Sequence, residues 1–238
     1  MSTPAVDGAA LAARWHQVRA RVDAACARAG RAAAEVTVVA VSKFHPAAAV
    51  RAALAAGVTD LGENYAQELV GKRAELGADG AAARWHFIGG LQRNKAKLVA
   101  GQVALIHAVA SAELGAELGR RALALGQVQP VLIAVNLGGE ASKTGVAPAE
   151  LPALLAALRA CQGVRVDGLM TMPPPADDPE ASRPHFRALR LLREGCAQAE
   201  TLPVLSMGMS DDFEVAIAEG ATHVRIGTAI FGARPAAA

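Results

Sequence analysis

Short apolar runs recur along the chain and alternate with longer, alanine-rich segments. The runs are VTVVAVS (36–42), TDLGE (59–63), WHFIG (85–89), LIHAVA (105–110), PVLIAVN (130–136), VDGLMTM (166–172), VLSMGM (204–209) and HVRIGTAIFG (223–232). Each is too short for a typical helix, and several are rich in Val and Ile, which suit a covered, pleated surface. Residues Val38 to Val41 include no polar position, so the first run reads as a strand buried on both faces, as in a parallel sheet.

The intervening segments read as helices. HPAAAVRAALAAG opens on a helix-entry proline and closes on glycine, and APAELPALLAALRACQG does much the same. SDDFEVAIAEG opens with Ser210 and two acids, so a helix is expected to begin at Ser210 and to end at Gly220. A further helix at about residues 7 to 29 precedes the first strand. Eight strands alternating with helices imply a parallel sheet. The length matches a (β/α)8 TIM barrel, an α/β fold that takes about 250 residues. An open doubly wound sheet is the alternative, but it wants a glycine-rich turn after the first strand, and that turn here is SKFHP. With no low-complexity linker, residues 1–238 read as one domain: a lead-in with its helix (1–34) and a barrel (35–233).

Composition narrows the partners. Alanine inflates the 53% hydrophobic content, so Val, Leu and Ile must fill the core. Lys and Arg number 24 against 22 Asp and Glu, a net charge of +2, which gives no basic surface for nucleic acid or an anionic membrane. Aromatic residues at 3% leave no base-stacking platform. Cys26, Cys161 and Cys196 are dispersed and form no CxxC pair, so they read as reduced thiols of a cytoplasmic protein. The six histidines show no metal-ligand spacing, and His86 reads as a hydrogen-bonded core residue. The early N-terminal charges do not suit a signal peptide. The longest uncharged stretch, 122–139, contains Pro130, Asn136 and three glycines, so it reads as helix end, turn and strand, not a membrane span.

Barrels place their chemistry at the C-terminal ends of their strands. That rule selects Lys43, Glu63, Asn64, Gly89, Gly90, Asn136, Thr171, Ser210, Arg225, Gly227 and Thr228. An amine in a barrel mouth is poorly solvated, which favours its neutral, nucleophilic form and a Schiff base with a carbonyl. Lys43 taken alone reads more readily as an exposed lysine just past a strand. Ser210 offers a hydroxyl, Gly227 lets backbone approach a ligand, and Thr228 adds a second hydroxyl. On adjacent strands seven and eight they favour phosphate. Two ligand classes fit: pyridoxal 5′-phosphate (PLP), a phosphorylated aldehyde, or a sugar phosphate as in Schiff-base aldolases. GGEASKTG (138–145) fails the spacing of a nucleotide P-loop and reads as a polar loop.

The ordered set AVSKFHP, LGENYAQE, HFIGGLQRNK, EASKTG, GLMTM, SMGMSDDFEVAI and VRIGTAIFG resembles the pyridoxal phosphate homeostasis protein family from about residue 35 to 233. The resemblance implies a barrel like the N-terminal domain of alanine racemase, with PLP held on Lys43 as a Schiff base. It implies phosphate contacts at Ser210, Gly227 and Thr228, Asn64 lining the cofactor, and Arg225 near the pyridine nitrogen. Gly90 and Arg93 depart from the residues more usual in their block. The implied function is intracellular PLP storage, buffering or delivery, with PLP-dependent apoenzymes as recipients. A racemase of this fold needs a second base, a tyrosine from a second domain of a partner subunit. Tyr65 is the only tyrosine here, and the chain stops about where its barrel closes. The expectation is therefore a monomeric carrier with no assigned catalytic residue; a PLP-dependent amino-acid racemase is the alternative.

Overall fold

A computed structural model of the protein describes residues 6–139 and 144–233. Its strands are β1 (Thr37–Val41), β2 (Asp60–Glu63), β3 (Arg84–Phe87), β4 (Leu105–Val109), β5 (Gln129–Ala134), β6 (Val164–Met170), β7 (Val204–Ser206) and β8 (His223–Ile226). They close into a barrel in sequence order. Parallel pairing of β1 with β8, from Thr37 opposite His223 to Ala40 opposite Ile226, completes the ring. The (β/α)8 expectation holds, and all eight apolar runs contain a strand.

Helices α1 (Gly8–Arg28), α2 (Ala47–Ala55), α3 (Ala66–Leu76), α4 (Ala112–Leu123), α5 (Leu151–Ala160), α6 (Arg183–Glu194), α7 (Phe213–Ala218) and α8 (Thr228–Phe231) complete the main elements. The expected N-terminal helix is α1. The Asp7 carboxylate accepts the Ala10 N–H and caps it. Leu11, Trp15, Val18 and Val22 form its buried stripe at helical spacing. This stripe packs on α2, α7 and α8, so α1 covers the outside of the seam between the first and last strands. Arg14 Nε donates to the Ile230 carbonyl at 2.8 Å, and Arg31 Nη1 donates to the Ile217 and Ala221 carbonyls at 3.0 and 2.8 Å.

Strand alternation sorts the side chains into two layers. Val38, Ala40, Leu61, Trp85, Phe87, Ile106, Val131, Ile133, Leu169, Leu205, Val224 and Ile226 join the large core between strands and helices. A smaller apolar cluster is separate: Leu105, Ala108, Leu132, Ala134 and Met170. It fills one side of the barrel interior. The other side is polar, with Asp60, His86, His107, Ser206 and Arg225 all buried.

Two expected runs end furthest from where they were drawn. The run expected over 204–209 stops at Ser206, and Gly208 turns the chain at φ +92°. The run over 223–232 stops at Ile226; the chain bends at Gly227, and Thr228–Phe231 forms α8. Adjacent Ile230 and Phe231 are both buried, which a strand with one covered face would not allow, and α8 seats against α1. The uncharged stretch 122–139 divides, as expected, into the end of α4, a turn, and β5. Among the described residues no helix is long and apolar enough to cross a membrane.

Candidate functional site

A cavity of about 460 Å³ opens at the C-terminal ends of the strands. Lys43, Asn64, Gly89, Gly90, Asn136, Ser210, Arg225, Gly227 and Thr228 all line it. Six different strand ends thus converge on one space. Of the strand-end residues named from the sequence, only Glu63 and Thr171 are not among its lining residues. Thr144 also lines it, whereas residues 140–143 of the GGEASKTG segment lie outside the described residues.

Glu63 points to the other face of its strand. Its side chain is fully buried toward α3, where Oε1 accepts Ser42 Oγ–H at 2.6 Å and Lys72 Nζ–H at 2.6 Å. Burial raises the Glu63 carboxyl above its ordinary range, against the opposing pull of Lys72 and Ser42. Lys72 also donates to the Ser42 carbonyl at 2.6 Å and to Glu68 Oε1 at 2.9 Å. Glu68 Oε1 in turn accepts the Phe44 backbone N–H at 2.6 Å. Phe44 has φ +68°, an uncommon left-handed conformation for a bulky side chain. The residues on both sides of Lys43 are therefore tied down from beneath by α3. Sequence reasoning missed this clamp; its one local signal is the Glu68–Lys72 spacing of four on a helix.

Thr171 supports the site from behind. Its hydroxyl donates to the Val135 carbonyl at 2.9 Å, and its own carbonyl accepts Arg225 Nη2–H at 3.0 Å. Arg225 Nη1 donates to Ser206 Oγ at 2.7 Å. Arg225 is only 6% exposed, and burial pulls the pKa of its guanidinium down to about 10, opposed by the charge of Asp212. Among the described residues no carboxylate lies within ion-pair distance of it. A buried cation with two neutral oxygen partners can still donate to a ligand that accepts.

Ser210, Gly227 and Thr228 meet at one corner. Ser210 Oγ accepts the Gly227 backbone N–H and the Thr228 hydroxyl, each at 3.3 Å. The helix expected to begin at Ser210 begins instead at Phe213. Asp212 is the reason: its carboxylate turns inward, accepting the Met209 N–H at 2.7 Å and the Ser182 hydroxyl at 2.8 Å, which closes a turn ahead of the helix. Ser210 thus belongs to a loop-to-loop junction between β7 and β8, with α8 starting beside it. His86 is a hydrogen-bonded core residue, as expected: it is 3% exposed and contacts Asp60 and His107. Tyr65 is 50% exposed and leans on Phe44, with ring centroids 5.5 Å apart, outside the cavity lining.

The chain resembles known proteins along most of its length. A family profile described as "Alanine racemase, N-terminal domain" matches residues 6–235. A Pseudomonas aeruginosa relative named pyridoxal phosphate homeostasis protein is 47% identical over 218 residues, covering 92% of this chain and 93% of the relative. The Escherichia coli K12 protein of the same name is 43% identical over 225 residues, covering 92% and 94%. The structure of PipY from Synechococcus elongatus PCC7942 with PLP bound is 37% identical, with a TM-score of 0.79, covering 93% of this chain and all of PipY. Barrel, strand-end cavity and sequence agree, and the chain belongs to the pyridoxal phosphate homeostasis protein family.

Proposed function

We propose that this chain binds pyridoxal 5′-phosphate in the strand-end cavity and stores, buffers or delivers it, with Lys43 holding the aldehyde as a Schiff base. The carrying observation is the convergence of three unlike groups in one space: the Lys43 amine, the Ser210–Gly227–Thr228 corner, and the Arg225 guanidinium. PLP presents an aldehyde, a phosphate and a ring nitrogen, and each finds a suitable residue. The volume lies in the ordinary range for small-molecule sites, about 300–1,000 Å³. Asn64 flanks the same space, suited to hydrogen-bonding the cofactor's edge.

When bound, the cofactor supplies an aldehyde and an electron-accepting ring. Arg225 cannot yield its proton, so it donates a hydrogen bond to the ring nitrogen and leaves that nitrogen unprotonated, a weaker electron sink than one paired with a carboxylate. Among the described lining residues, only Lys43 and Asp211 can exchange protons. The reading extends to one domain over 1–238, a cytoplasmic monomer, and PLP-dependent apoenzymes as recipients. The PLP assignment itself draws support from the PLP-bound relative and the names of the curated ones.

Incubation with PLP followed by exhaustive dialysis tests the assignment. The protein should keep a visible absorbance band and show no turnover of alanine enantiomers. A colourless protein that takes up no PLP sinks the reading, and racemisation lost on Lys43→Ala would replace the carrier with an enzyme.

The phosphate corner has its own test. Ser210→Ala/Thr228→Val removes hydrogen bonds to a charged group, about 1.5–3 kcal/mol, and should weaken PLP roughly ten- to hundred-fold. Binding of pyridoxal, which lacks the phosphate, should barely change. Gly227→Ala should act similarly without unfolding the protein. Its φ is −108°, and an added Cβ would meet nothing nearer than 3.5 Å, so the fold itself does not demand glycine there. Equal PLP affinity in all these variants would place the phosphate elsewhere.

A further inference from the structure

The polar side of the barrel interior forms a continuous row that the cavity uses only at its last member. Asp60 Oδ1 lies 2.9 Å from His86 Nε2, and His86 Nδ1 lies 3.0 Å from His107 Nε2. His107 Nδ1 lies 2.8 Å from Ser206 Oγ, which accepts Arg225 Nη1–H at 2.7 Å. The row crosses β2, β3, β4, β7 and β8, and all five side chains are buried. It starts at the base of the barrel, where Arg84 Nη2 donates to Asp60 Oδ2 at 2.8 Å. A second cavity of about 270 Å³ lies at that base and is lined by Asp60, Arg84, His86 and His223 among others. Of the five, only Arg225 lines the upper cavity.

The two ends dictate the direction of every link. A guanidinium only donates. Burial raises the Asp60 carboxyl, but hydrogen bonds from His86, Arg84 and Thr59 together outweigh that and hold it well below the usual carboxylate range, so it only accepts. Burial keeps His107 neutral, with one N–H to give. With His86 neutral, one arrangement satisfies all the links. Ser206 donates to His107 Nδ1, His107 Nε2–H donates to His86 Nδ1, and His86 Nε2–H donates to Asp60. The dipoles align and reinforce one another, which makes Asp60 the remote counter-charge of Arg225.

A proton added at His86 Nδ1 would reverse the middle of the row. His107 would then accept at Nε2 and donate from Nδ1, and Ser206 would accept from both His107 and Arg225. Charge at the base is thereby coupled to the partner of Arg225 at the top. The groups facing His86 are Asp60 on β2, Arg84 on β3, His107 on β4 and His223 on β8, with Arg165 and Asp167 of β6 around the base cavity and Arg225 beyond His107. His223 is itself held neutral: burial lowers it to about 4.

We propose that Asp60, His86, His107 and Ser206 are positioning residues for PLP, a hydrogen-bonded relay that orients Arg225 toward the ring and balances its charge from the base of the barrel. The proposal rests on the PLP reading of the upper cavity. It assigns the relay no contact with the cofactor, so its signature is electrostatic. Breaking the relay removes part of the compensation of the Arg225 charge, with Asp212 still acting on it, which disfavours the protonated form of the bound chromophore.

The test compares PLP-loaded wild type with Ser206→Ala, Ser206→Thr, Asp60→Asn and Arg165→Gln. Arg165 pairs with Asp167 at 2.6 Å beside the base cavity and has no bond to the row. The readouts are the pH midpoint of the visible spectrum, PLP affinity, and the melting temperature of the apoprotein. Ser206→Ala and Asp60→Asn should move the midpoint down by roughly half a unit or more and weaken PLP several-fold. Ser206→Thr should restore both, and Arg165→Gln should change neither. If Ser206→Ala does not fold, Asp60→Asn decides, because it keeps the size and an acceptor oxygen. A wild type that loads PLP beside variants with unchanged midpoint and affinity overturns the relay alone. An equal shift in Arg165→Gln overturns it too. A wild type that takes up no PLP overturns both the relay and the reading beneath it.

Discussion

Lys43→Ala is expected to strip the protein of the visible absorbance of bound PLP. The effect should be complete, since Lys43 is the only lysine among the described lining residues of the cavity. Lys72, the other lysine near this turn, is buried beneath it with all three ammonium protons engaged, on Ser42, Glu63 and Glu68. Binding itself should weaken but survive, because the Ser210–Gly227–Thr228 corner remains to hold phosphate. The fold should hold, because Lys72 and Glu68 anchor the turn through the Ser42 carbonyl and the Phe44 N–H. Borohydride reduction of the loaded wild type, followed by peptide mapping, checks the attachment point. A label on any lysine other than Lys43 would remove the central assignment.

Lys72→Met should be the most destabilising single change near the site. Lys72 is 6% exposed and bonds Glu63, whose second oxygen is already buried without a partner. Removing the cation leaves a buried carboxylate uncompensated, which costs about 3–5 kcal/mol. The sign of the pH dependence follows from Glu63. Burial raises its folded-state carboxyl above the unfolded value. That contribution to stability is fully present below the unfolded value and is lost as pH rises through the raised one. Without Lys72 the Ser42 hydroxyl is left to offset the burial, so the upward shift grows and the deficit of the variant shrinks toward acid. Urea denaturation at pH 5 and pH 8 should show the larger loss at pH 8. Adding Glu63→Gln should recover much of it, since the two residues are directly coupled. Equal losses at both pH values would mean that Glu63 is not the group left stranded. The same variant should release PLP faster, because Phe44 loses part of the support for its left-handed turn.

Most of the candidate site was legible because a closed parallel barrel gathers its strand ends. Lys43, Asn64, Ser210, Gly227 and Thr228 follow strands that the apolar runs reveal, Arg225 lies within the last of them, and all six line one cavity. Glu63 and Thr171 were chosen by the same rule and fell outside it. The rule gives the height of a residue in the barrel but not its face. Glu63 stands one position from Gly62, and alternation turns it outward to α3. Ser210 was read as a helix start because SDD has the composition of one, but the inward bonds of Asp212 delayed the helix to Phe213. TAIF was read as strand because Thr and Ile favour one; its helical turn is stabilised by burial against α1, which contributes a bond from 216 residues away.

By itself the sequence determined how many strands there are, their order, and which lysine ends the first one, because these depend on short-range apolar periodicity and turn chemistry. The tertiary structure alone decided which polar groups meet. His107 and Ser206 are 99 residues apart and Arg225 reaches back 54 to the Thr171 carbonyl. Nothing local distinguishes those residues from solvated ones. Only closure of the barrel removes them from water, and once there each must find a partner. That requirement joined Asp60 at the base to Arg225 at the mouth.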